Sequence, residues 1–226
     1  RALGLRPSRP NLEVFAETLQ ALAVADGRLV AVTSDSRGSG KLGPFGQALP
    51  GQIVEVGIAE QNLVGIAAGL ALCGQKPFAV SPACFLTARA LEQIKNDVCY
   101  SNAPVVLVGI SAGVSYGALG STHHSLHDFA ALRAIHNVRV IAPADQAETR
   151  AAVRLAAAAT TPVYLRFGKA PMVEVHPAGA EPALTTAAVL RDGRDVAFLA
   201  TGETVVHALL AAEELAAGGL SARVLS

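Results

Sequence analysis

The sequence predicts an α/β protein whose main domain is a doubly wound parallel sheet with helices on both faces. Helical segments alternate along the chain with short strands rich in β-branched residues. Some strands are continuous apolar runs, such as 103–110 (APVVLVGI), which is typical of strands buried on both sides. The composition, 51% apolar and only 4% aromatic, suits this class, and 226 residues suffice for one full domain and part of another.

The elements of the first domain follow from local signals. A helix is expected over 12–25, with Asn11 as its N-cap after Pro10. A helix of small residues is expected over 60–73, ended by Gly74, and further helices over 89–102, 128–135 and 146–160. Strands are expected over 28–35, 52–58, 76–82, 103–110, 138–145 and 162–168. This alternation places the strands side by side in one parallel sheet.

A change of composition predicts a domain boundary. Residues 1–172 are assigned to the first domain, and residues 173–185, which contain Pro177 and Pro182, to a linker. Residues 186–226 then begin again as a strand, a glycine-bearing turn, a helix and a strand. Because a single unit of this kind cannot bury its own faces, we expect it to open a second α/β domain that is incomplete in this sequence. Docking on a partner is the alternative.

The composition also argues against several partners. Eighteen basic residues balance 18 acidic ones without a basic stripe, so no nucleic acid is expected. The sequence has no visible signal peptide and no apolar run of about twenty residues, the length that crosses a bilayer, so no membrane association is expected. Cys73, Cys84 and Cys99 lack metal-ligand spacing, and we expect all three to be buried in a protein of the reducing cytoplasm.

Four separate segments reach the carboxyl ends of the predicted strands: the loop 35–46, Glu60, residues 81–85, and the loop 111–128, which is rich in glycine, serine and histidine. Ligands of parallel sheets bind at that edge, so the site is expected there. Glu60 is the single acidic residue of the run 60–74. Taken alone, its position is typical of a first-turn glutamate that stabilises its own helix through the helix dipole.

Five motifs, taken in their order along the chain, are specific in combination. They are 57–74 (GIAEQNLVGIAAGLALCG), 85–98 (FLTARALEQIKNDV), 120–128 (GSTHHSLHD), 137–145 (NVRVIAPAD) and 161–168 (TPVYLRFG). Together they resemble the pyrimidine-binding domain of thiamine-diphosphate enzymes, and most closely the two-subunit members of the transketolase family. The resemblance covers most of the chain, and residues 188–226 are similar to the start of that family's C-terminal domain.

The resemblance implies which residues bind the cofactor. In that family, a glutamate matching Glu60 hydrogen-bonds to the N1′ nitrogen of the aminopyrimidine ring and promotes removal of the thiazolium C2 proton. Phe85 falls on the position whose ring stacks on the aminopyrimidine, and Asp35 is assigned to the cofactor as well. A second aromatic usually lies where this chain has Pro82, so a looser pyrimidine pocket is expected.

The resemblance also implies which residues bind the substrate. His123 matches the histidine that approaches substrate oxygens, whereas its neighbour His124 is expected only to pack or cap. Arg166 falls on the arginine that grips the sugar phosphate, and Ser39 lies near a second phosphate contact. Without the resemblance, Arg166 is typical of a surface ion pair.

At two substrate positions the chain departs from the family. Ser111 stands where a histidine is usual, and Leu119 where an acidic residue is usual; both positions normally contact hydroxyls of the ketose donor. A hydroxyl buried against Leu119 would lack a partner, at a cost of about 1–3 kcal/mol. We therefore expect a donor with fewer hydroxyls than the standard pentose phosphates, or one specific to another pathway.

The expected cofactor is thiamine diphosphate with Mg²⁺, but the family anchors its diphosphate at a GDG motif that this sequence does not contain. We therefore expect no metal ligands in this chain and a partner, an N-terminal diphosphate-binding subunit, with two copies of each subunit in a heterotetramer.

The expected function is ketol transfer between a ketose-type donor and an aldehyde acceptor, both small molecules. Two other enzymes remain open: the β subunit of a 2-oxoacid decarboxylase or dehydrogenase, and a deoxyxylulose-phosphate-synthase-like enzyme. Outside enzymes, a catalytically silent partner-binding subunit is the alternative. The 122–124 loop and Arg166 favour ketol transfer, and the presence together of Glu60, Phe85 and His123 argues against a silent subunit.

Overall fold

The computed structural model describes residues 5–226, and eleven strands are found within them. They are β1 (Arg6–Pro10), β2 (Leu29–Thr33), β3 (Ile53–Glu55), β4 (Lys76–Pro82), β5 (Val106–Ile110), β6 (Arg139–Ile141), β7 (Val163–Arg166), β8 (Pro171–Glu174), β9 (Val189–Arg191), β10 (Val196–Leu199) and β11 (Ala222–Leu225). Six of them form one sheet in the order β3-β2-β4-β5-β7-β6, and every neighbouring pair in it is parallel. The predicted parallel sheet is confirmed.

The helices connect these strands. They are α1 (Asn11–Ala25), α2 (Gly43–Ala48), α3 (Glu60–Leu72), α4 (Ala83–Arg89), α5 (Leu91–Gln93), which continues as a π-helical segment (Ile94–Tyr100), α6 (Asp128–Arg133), α7 (Gln146–Ala158) and α8 (Val205–Ala217). Asn11 does not cap α1, as the sequence had suggested. It is the first helical residue, after Pro10, and its side-chain amide donates instead to the carbonyl of Pro143.

Two hydrophobic layers cover the two faces of the six-stranded sheet, as the doubly wound prediction requires. Successive strand residues alternate between the layers, so Phe78 packs on one side and Ala79 on the other. On the first side, α1 and α7 cover the sheet, and the rings of Phe15 and Phe167 lie 5.3 Å apart, measured between centroids. On the second side, α3 and the helical segment 83–100 cover the sheet. Burying one such side chain fully contributes about 1.5–3 kcal/mol.

The chain changes direction beside β2, and this positions the site. The connection from β2 reaches β3 at the edge of the sheet, and α3 then carries the chain across β2 to β4 on its other side. A crevice at the carboxyl ends of the strands is expected at such a switch point. The predicted strand 52–58 is short, because Gly57 adopts a left-handed φ of 72° and turns the chain into α3.

Two smaller sheets lie outside the main one. β1 pairs antiparallel with β8, so residues 173–174 of the predicted linker belong to a strand. β10, α8 and β11 form the predicted strand–helix–strand unit, with β10 parallel to β11, and β9 pairs antiparallel with β11. A small apolar cluster beneath α8 includes Leu209 and Val224, and Leu5 and Val175 pack against it. The main domain therefore contributes to covering the second unit.

A buried network fixes the segment after β8 to the first turn of α7. Asp145 caps α7 by accepting from the backbone N–H of Glu148, and it also accepts from the backbone N–H groups of Val175 and His176. The imidazole Nδ1 of His176 lies 3.0 Å from the same carboxylate. This hydrogen bond raises the pKa of His176. Burial alone would raise the pKa of Asp145, but its hydrogen bonds lower it.

The prediction that all three cysteines are buried is wrong for Cys73. Cys73 follows the last turn of α3, where the chain reaches the surface before Gly74, and it is exposed. Cys84 and Cys99 are buried, and burial raises the pKa of the Cys99 thiol to about 11. Across residues 5–226, no helix is both long enough and apolar enough to cross a membrane.

Candidate active site

Four functional segments lie at the edge formed by the carboxyl ends of the parallel strands. Glu60 begins α3 shortly after β3, and Phe85 lies in α4, which starts directly after β4. His123 lies in the loop after β5, and Arg166 is the last residue of β7. The sheet order therefore brings together residues that are far apart in the sequence.

Glu60 is almost completely buried, with 2% of its surface exposed, and it is paired. Its Oε2 accepts a hydrogen bond from Nη1 of Arg89 at 2.5 Å. As the first residue of α3, Glu60 also lies at the positive end of the helix dipole. A buried carboxylate is costly unless it is hydrogen-bonded and paired, and both conditions are met here.

Phe85 lies between Arg89 and His123. It is the third residue of α4, which begins directly after Pro82. The guanidinium carbon of Arg89 is 5.0 Å from the centroid of the Phe85 ring, within cation–π distance. The ring of His123 meets Phe85 edge-on, with the centroids 5.2 Å apart. Three of the predicted site residues thus belong to one cluster: Glu60, Phe85 and His123.

The cluster continues through two residues that sequence reasoning missed. The ring of Tyr116 contacts His123 from a second direction, with centroids 5.2 Å apart. The ammonium of Lys169 lies over the Tyr116 ring, 4.5 Å from its centroid. The Nδ1 of His123 is 3.0 Å from the hydroxyl oxygen of Thr122, while His124 uses its Nε2 to bind the carbonyl of Gly117. His123 is thus held in the cluster, whereas His124 braces the loop.

Arg166 is held in a buried ion pair. Its Nε donates to Oδ2 of Asp128 at 2.7 Å, and the same oxygen accepts from the hydroxyl of Tyr164. The guanidinium also stacks on Phe129. Burial raises the pKa of Tyr164 well above its usual value, so its hydroxyl remains a donor. Burial also raises the pKa of Glu203, although its attraction to Arg166 opposes this. Arg166 is therefore surrounded by acidic partners.

Ser111 and Leu119, the two residues that depart from the family, differ in burial. Ser111 follows β5 with a left-handed φ of 55°, a conformation that few residues other than glycine adopt. It is completely buried, and its hydroxyl makes no hydrogen bond within residues 5–226. Leu119 ends the 3₁₀ turn Gly117–Leu119 and is 56% exposed. It therefore does not pack inside the loop.

Asp35 and Ser39 lie in the loop after β2, outside the cluster. Asp35 is exposed, has a φ of 53°, and donates its backbone N–H to a carboxylate oxygen of Glu55. The hydroxyl of Ser39 donates to the carbonyl of Ser36. Within the described part of the chain, neither residue hydrogen-bonds to Glu60, Phe85 or His123.

Comparison with known proteins identifies the family. The sequence profile of the transketolase pyrimidine-binding domain matches residues 10–172, and that of the transketolase C-terminal domain matches residues 185–226. The chain belongs to the transketolase family. Membership implies thiamine diphosphate as the cofactor, and the family predicted from the five sequence motifs is confirmed.

Relatives of this transketolase-family chain include separate subunits and longer enzymes. It is 49% identical over 212 residues to one of the subunits of apulose-4-phosphate transketolase of Phocaeicola vulgatus, covering 93% of this chain and 68% of that protein. It is 39% identical over 227 residues to 1-deoxy-D-xylulose-5-phosphate synthase of Thermomicrobium roseum, covering 99% of this chain but only 36% of that enzyme. The first of these relatives is a transketolase subunit, and the chain spans about two thirds of its length.

A solved structure of a split-gene transketolase, described as an inactive β4 tetramer, superimposes with a TM-score of 0.87 at 36% identity. The superposition covers 96% of this chain and 70% of that one. The predicted α/β fold class is therefore confirmed by the structure of a split-gene transketolase.

Three residues of this transketolase-family site were missed: Arg89, Tyr116 and Lys169. One signal was available for Arg89, because it follows Phe85 by four residues and such pairs share a helix face. Tyr116 and Lys169 come from loops after different strands, and no periodicity relates them to His123. Their proximity depends on β5 and β7 being neighbours in the sheet.

Proposed function

We propose that this chain is the pyrimidine-binding subunit of a two-subunit transketolase, which transfers a two-carbon ketol unit from a ketose-type donor to an aldehyde acceptor. The proposal depends on the buried Glu60 carboxylate at the start of α3, which faces a planar cation stacked on Phe85. The similarity of the chain to one subunit of apulose-4-phosphate transketolase supports it.

The contacts of Glu60 and Phe85 fit an aminopyrimidine ring. Glu60 offers an acceptor oxygen close to one side of Phe85, and the flat guanidinium of Arg89 occupies the space between them. A planar group that carries an N–H donor therefore fits there. When bound, the cofactor supplies the electron sink for C–C bond cleavage. The role of Glu60 is to hold a proton against the ring nitrogen, in apolar surroundings that strengthen the hydrogen bond.

His123 is assigned to substrate oxygens. Its ring is wedged edge-on against Phe85 and Tyr116, and its Nδ1 is close to the hydroxyl of Thr122. These contacts fix the ring and leave Nε2 for a substrate oxygen. An imidazole nitrogen can donate a hydrogen bond to such an oxygen or accept one from its hydroxyl. The further assignments are Asp35 to the cofactor, and Ser39, Ser111 and Leu119 to the substrate.

The anionic end of the substrate is assigned to Arg166 and Lys169. The names of both relatives contain a sugar phosphate, which supports an anionic substrate here. Arg166 alone is a weak anion site, because the carboxylates of Asp128 and Glu203 offset its charge. Lys169 is exposed and contacts a ring rather than a carboxylate, so it adds positive charge beside His123 through Tyr116.

The diphosphate and its Mg²⁺ are assigned to a partner, the N-terminal diphosphate-binding subunit. The absence of a GDG motif from these 226 residues supports this division. We divide the chain into the pyrimidine-binding domain (1–172), a linker (173–185) and the beginning of a C-terminal domain (186–226). We further propose that two copies of this chain associate within a heterotetramer, and the split-gene relative described as an inactive β4 tetramer supports self-association.

Co-expression with a partner that carries a GDG motif tests the function. The purified complex, supplied with thiamine diphosphate and Mg²⁺, is assayed with glyceraldehyde 3-phosphate as acceptor and with xylulose 5-phosphate, apulose 4-phosphate or hydroxypyruvate as donor. We expect two-carbon transfer from at least one donor. Formation of deoxyxylulose 5-phosphate from added pyruvate, without transfer from any ketose, would support the deoxyxylulose-phosphate-synthase-like alternative. No turnover with any donor would contradict both enzymes.

The division of the site is tested by calorimetry on this chain alone. Because only the pyrimidine half of the cofactor would find contacts, we expect no measurable binding of thiamine diphosphate with Mg²⁺ at micromolar concentrations. The complex with the partner subunit is the positive control. Tight one-to-one binding by the isolated chain would contradict a divided site.

A further inference from the structure

Arg89 has been assigned no role of its own, although it makes two contacts in the candidate site. Its Nη1 donates to Oε2 of Glu60 at 2.5 Å, and its guanidinium lies over the ring of Phe85. Arg89 is the last residue of α4, and Phe85 is four residues earlier on the same helix face. The two residues of one helix thus form, with Glu60 from α3, a stack in which the guanidinium lies between a buried carboxylate and an aromatic ring.

These are the same two contacts that the proposed function requires of the cofactor. A guanidinium is planar, positively charged and rich in N–H donors, and it stacks on aromatic faces. An aminopyrimidine ring that is hydrogen-bonded to Glu60 through a protonated nitrogen is also planar and also offers an N–H donor. Arg89 and an aminopyrimidine ring cannot both bind the same oxygen of Glu60 and cover the same face of Phe85 at once.

We propose that Arg89 is a placeholder: in the cofactor-free subunit it occupies the place of the aminopyrimidine ring, and it moves out when the cofactor binds. This inference rests on the proposed function. The burial of the two charges fits it, because Glu60 is only 2% exposed whereas the Arg89 side chain is 47% exposed. The carboxylate stays in place while the guanidinium can turn into solvent, where its charge is hydrated.

In the cofactor-free subunit, Arg89 offsets the free-energy cost of burying the Glu60 carboxylate. An ionised carboxylate without a partner in an apolar environment is strongly unfavourable. Within residues 5–226, Arg89 makes the one salt bridge to Glu60. The cofactor site is therefore kept charged and assembled, but every binding event must first break the Arg89 contacts. This requirement raises the apparent Kd, which equals the intrinsic Kd divided by the fraction of molecules in which the site is open.

Two measurements on the cofactor-free complex with the partner subunit test the placeholder. The first is the Kd for thiamine diphosphate in the presence of Mg²⁺, measured by calorimetry for the wild type, Arg89→Ala and Arg89→Gln. We expect Arg89→Ala to bind about tenfold more tightly, because no side chain has to be displaced. Arg89→Gln keeps a planar donor without the charge and should lie between the two. Arg9→Ala, which removes an exposed ion pair with Glu17, is the matched control and should bind like the wild type.

The second measurement is the thermal midpoint of each complex with and without the cofactor. Arg89→Ala should lower the midpoint of the cofactor-free complex but not that of the loaded complex, in which Arg89 has already left Glu60. Unchanged or weaker cofactor binding by both Arg89 variants, with the wild type binding normally, would overturn the placeholder and leave the proposed function standing. If the wild-type complex itself bound no cofactor, the proposed function would fall, and the placeholder with it.

Discussion

The active-site edge contains two arginine–carboxylate pairs that differ in burial. In the first, the carboxylate of Glu60 is buried but the side chain of Arg89 is about half exposed. In the second, Asp128 is buried, the Arg166 side chain is only 16% exposed, and the hydroxyl of Tyr164 also donates to Asp128. The first pair has one partner that can leave for water, whereas the second is enclosed on both sides.

The difference separates a pair whose cation can be exchanged from a pair whose cation is fixed in place. When Arg89 leaves Glu60, its charge is hydrated at once, so another donor can take its place. When Arg166 leaves Asp128, a buried carboxylate loses its counter-charge and keeps only neutral donors such as the Tyr164 hydroxyl, and such losses are severe. Substitutions in the first pair should therefore mainly change activity, whereas substitutions in the second pair should mainly lower the free energy of unfolding.

The largest expected effect is on activity, at the exchangeable pair. Glu60→Gln keeps an acceptor oxygen for Arg89 but cannot hold a proton against the cofactor ring. Steady-state assays of the complex should show a loss greater than the 10²–10⁴-fold that is typical of general acid–base groups, with an unchanged thermal midpoint. Glu92→Gln, at an exposed glutamate on α5, is the control. Near-normal activity of Glu60→Gln would make Glu60 only a helix-start residue.

The next largest effect is on stability, at the enclosed pair. Asp128→Ala leaves Arg166 and Tyr164 without their shared acceptor, and breaking a buried pair costs about 3–5 kcal/mol. Urea unfolding should show a fall of this size in the free energy of unfolding. Arg89→Ala should cost clearly less, because water can reach Glu60 once the exposed side chain is gone. Asp97→Ala, at an exposed position, is the control. Equal losses at both pairs would remove the distinction.

A smaller effect is expected on donor preference, away from both pairs. If Leu119 faces the donor, Leu119→Asp supplies an acceptor for a sugar hydroxyl. The ratio of kcat/KM for xylulose 5-phosphate to that for hydroxypyruvate should rise by at least about tenfold, or roughly 1.4 kcal/mol. Because Leu119 is more than half exposed, the new charge should not unfold the loop, and thermal melting checks this. A folded variant with an unchanged ratio would remove Leu119 from the donor site.

The smallest expected effect is on the pH dependence of stability, at the pair of His176 and Asp145. The hydrogen bond to Asp145 raises the pKa of His176, so the protonated imidazole stabilises the fold. This contribution is fully present below the unfolded-state pKa of about 6.5 and is lost as the pH rises through the raised folded-state pKa. Urea midpoints measured across this range should fall with pH in the wild type and fall less in His176→Gln. Parallel curves would mean that His176 is not protonated in the native state.

Much of the fold could be predicted because it depends on local patterns. Apolar β-branched runs and the helices between them establish a parallel sheet, and the carboxyl ends of its strands must then share one edge. That reasoning placed Glu60, the segment of Phe85 and the His123 loop at the same edge. The prediction for Asn11 was wrong because a residue distant in the sequence decides its role. The sequence marked Asn11 as a helix cap, but its side chain donates to the backbone carbonyl of Pro143.

The sequence by itself determined the fold class, the family motifs and the carboxylate at the start of α3, because periodicity and residue type are local properties. Only the tertiary structure decided what each charge faces. Arg89 reaches Glu60 across 29 residues of sequence, Arg166 reaches Asp128 across 38, and Ser8 on β1 meets Glu174 on β8 across 166. Such pairings follow from which strands are neighbours and how deeply each side chain is buried, and neither quantity is encoded in any single segment.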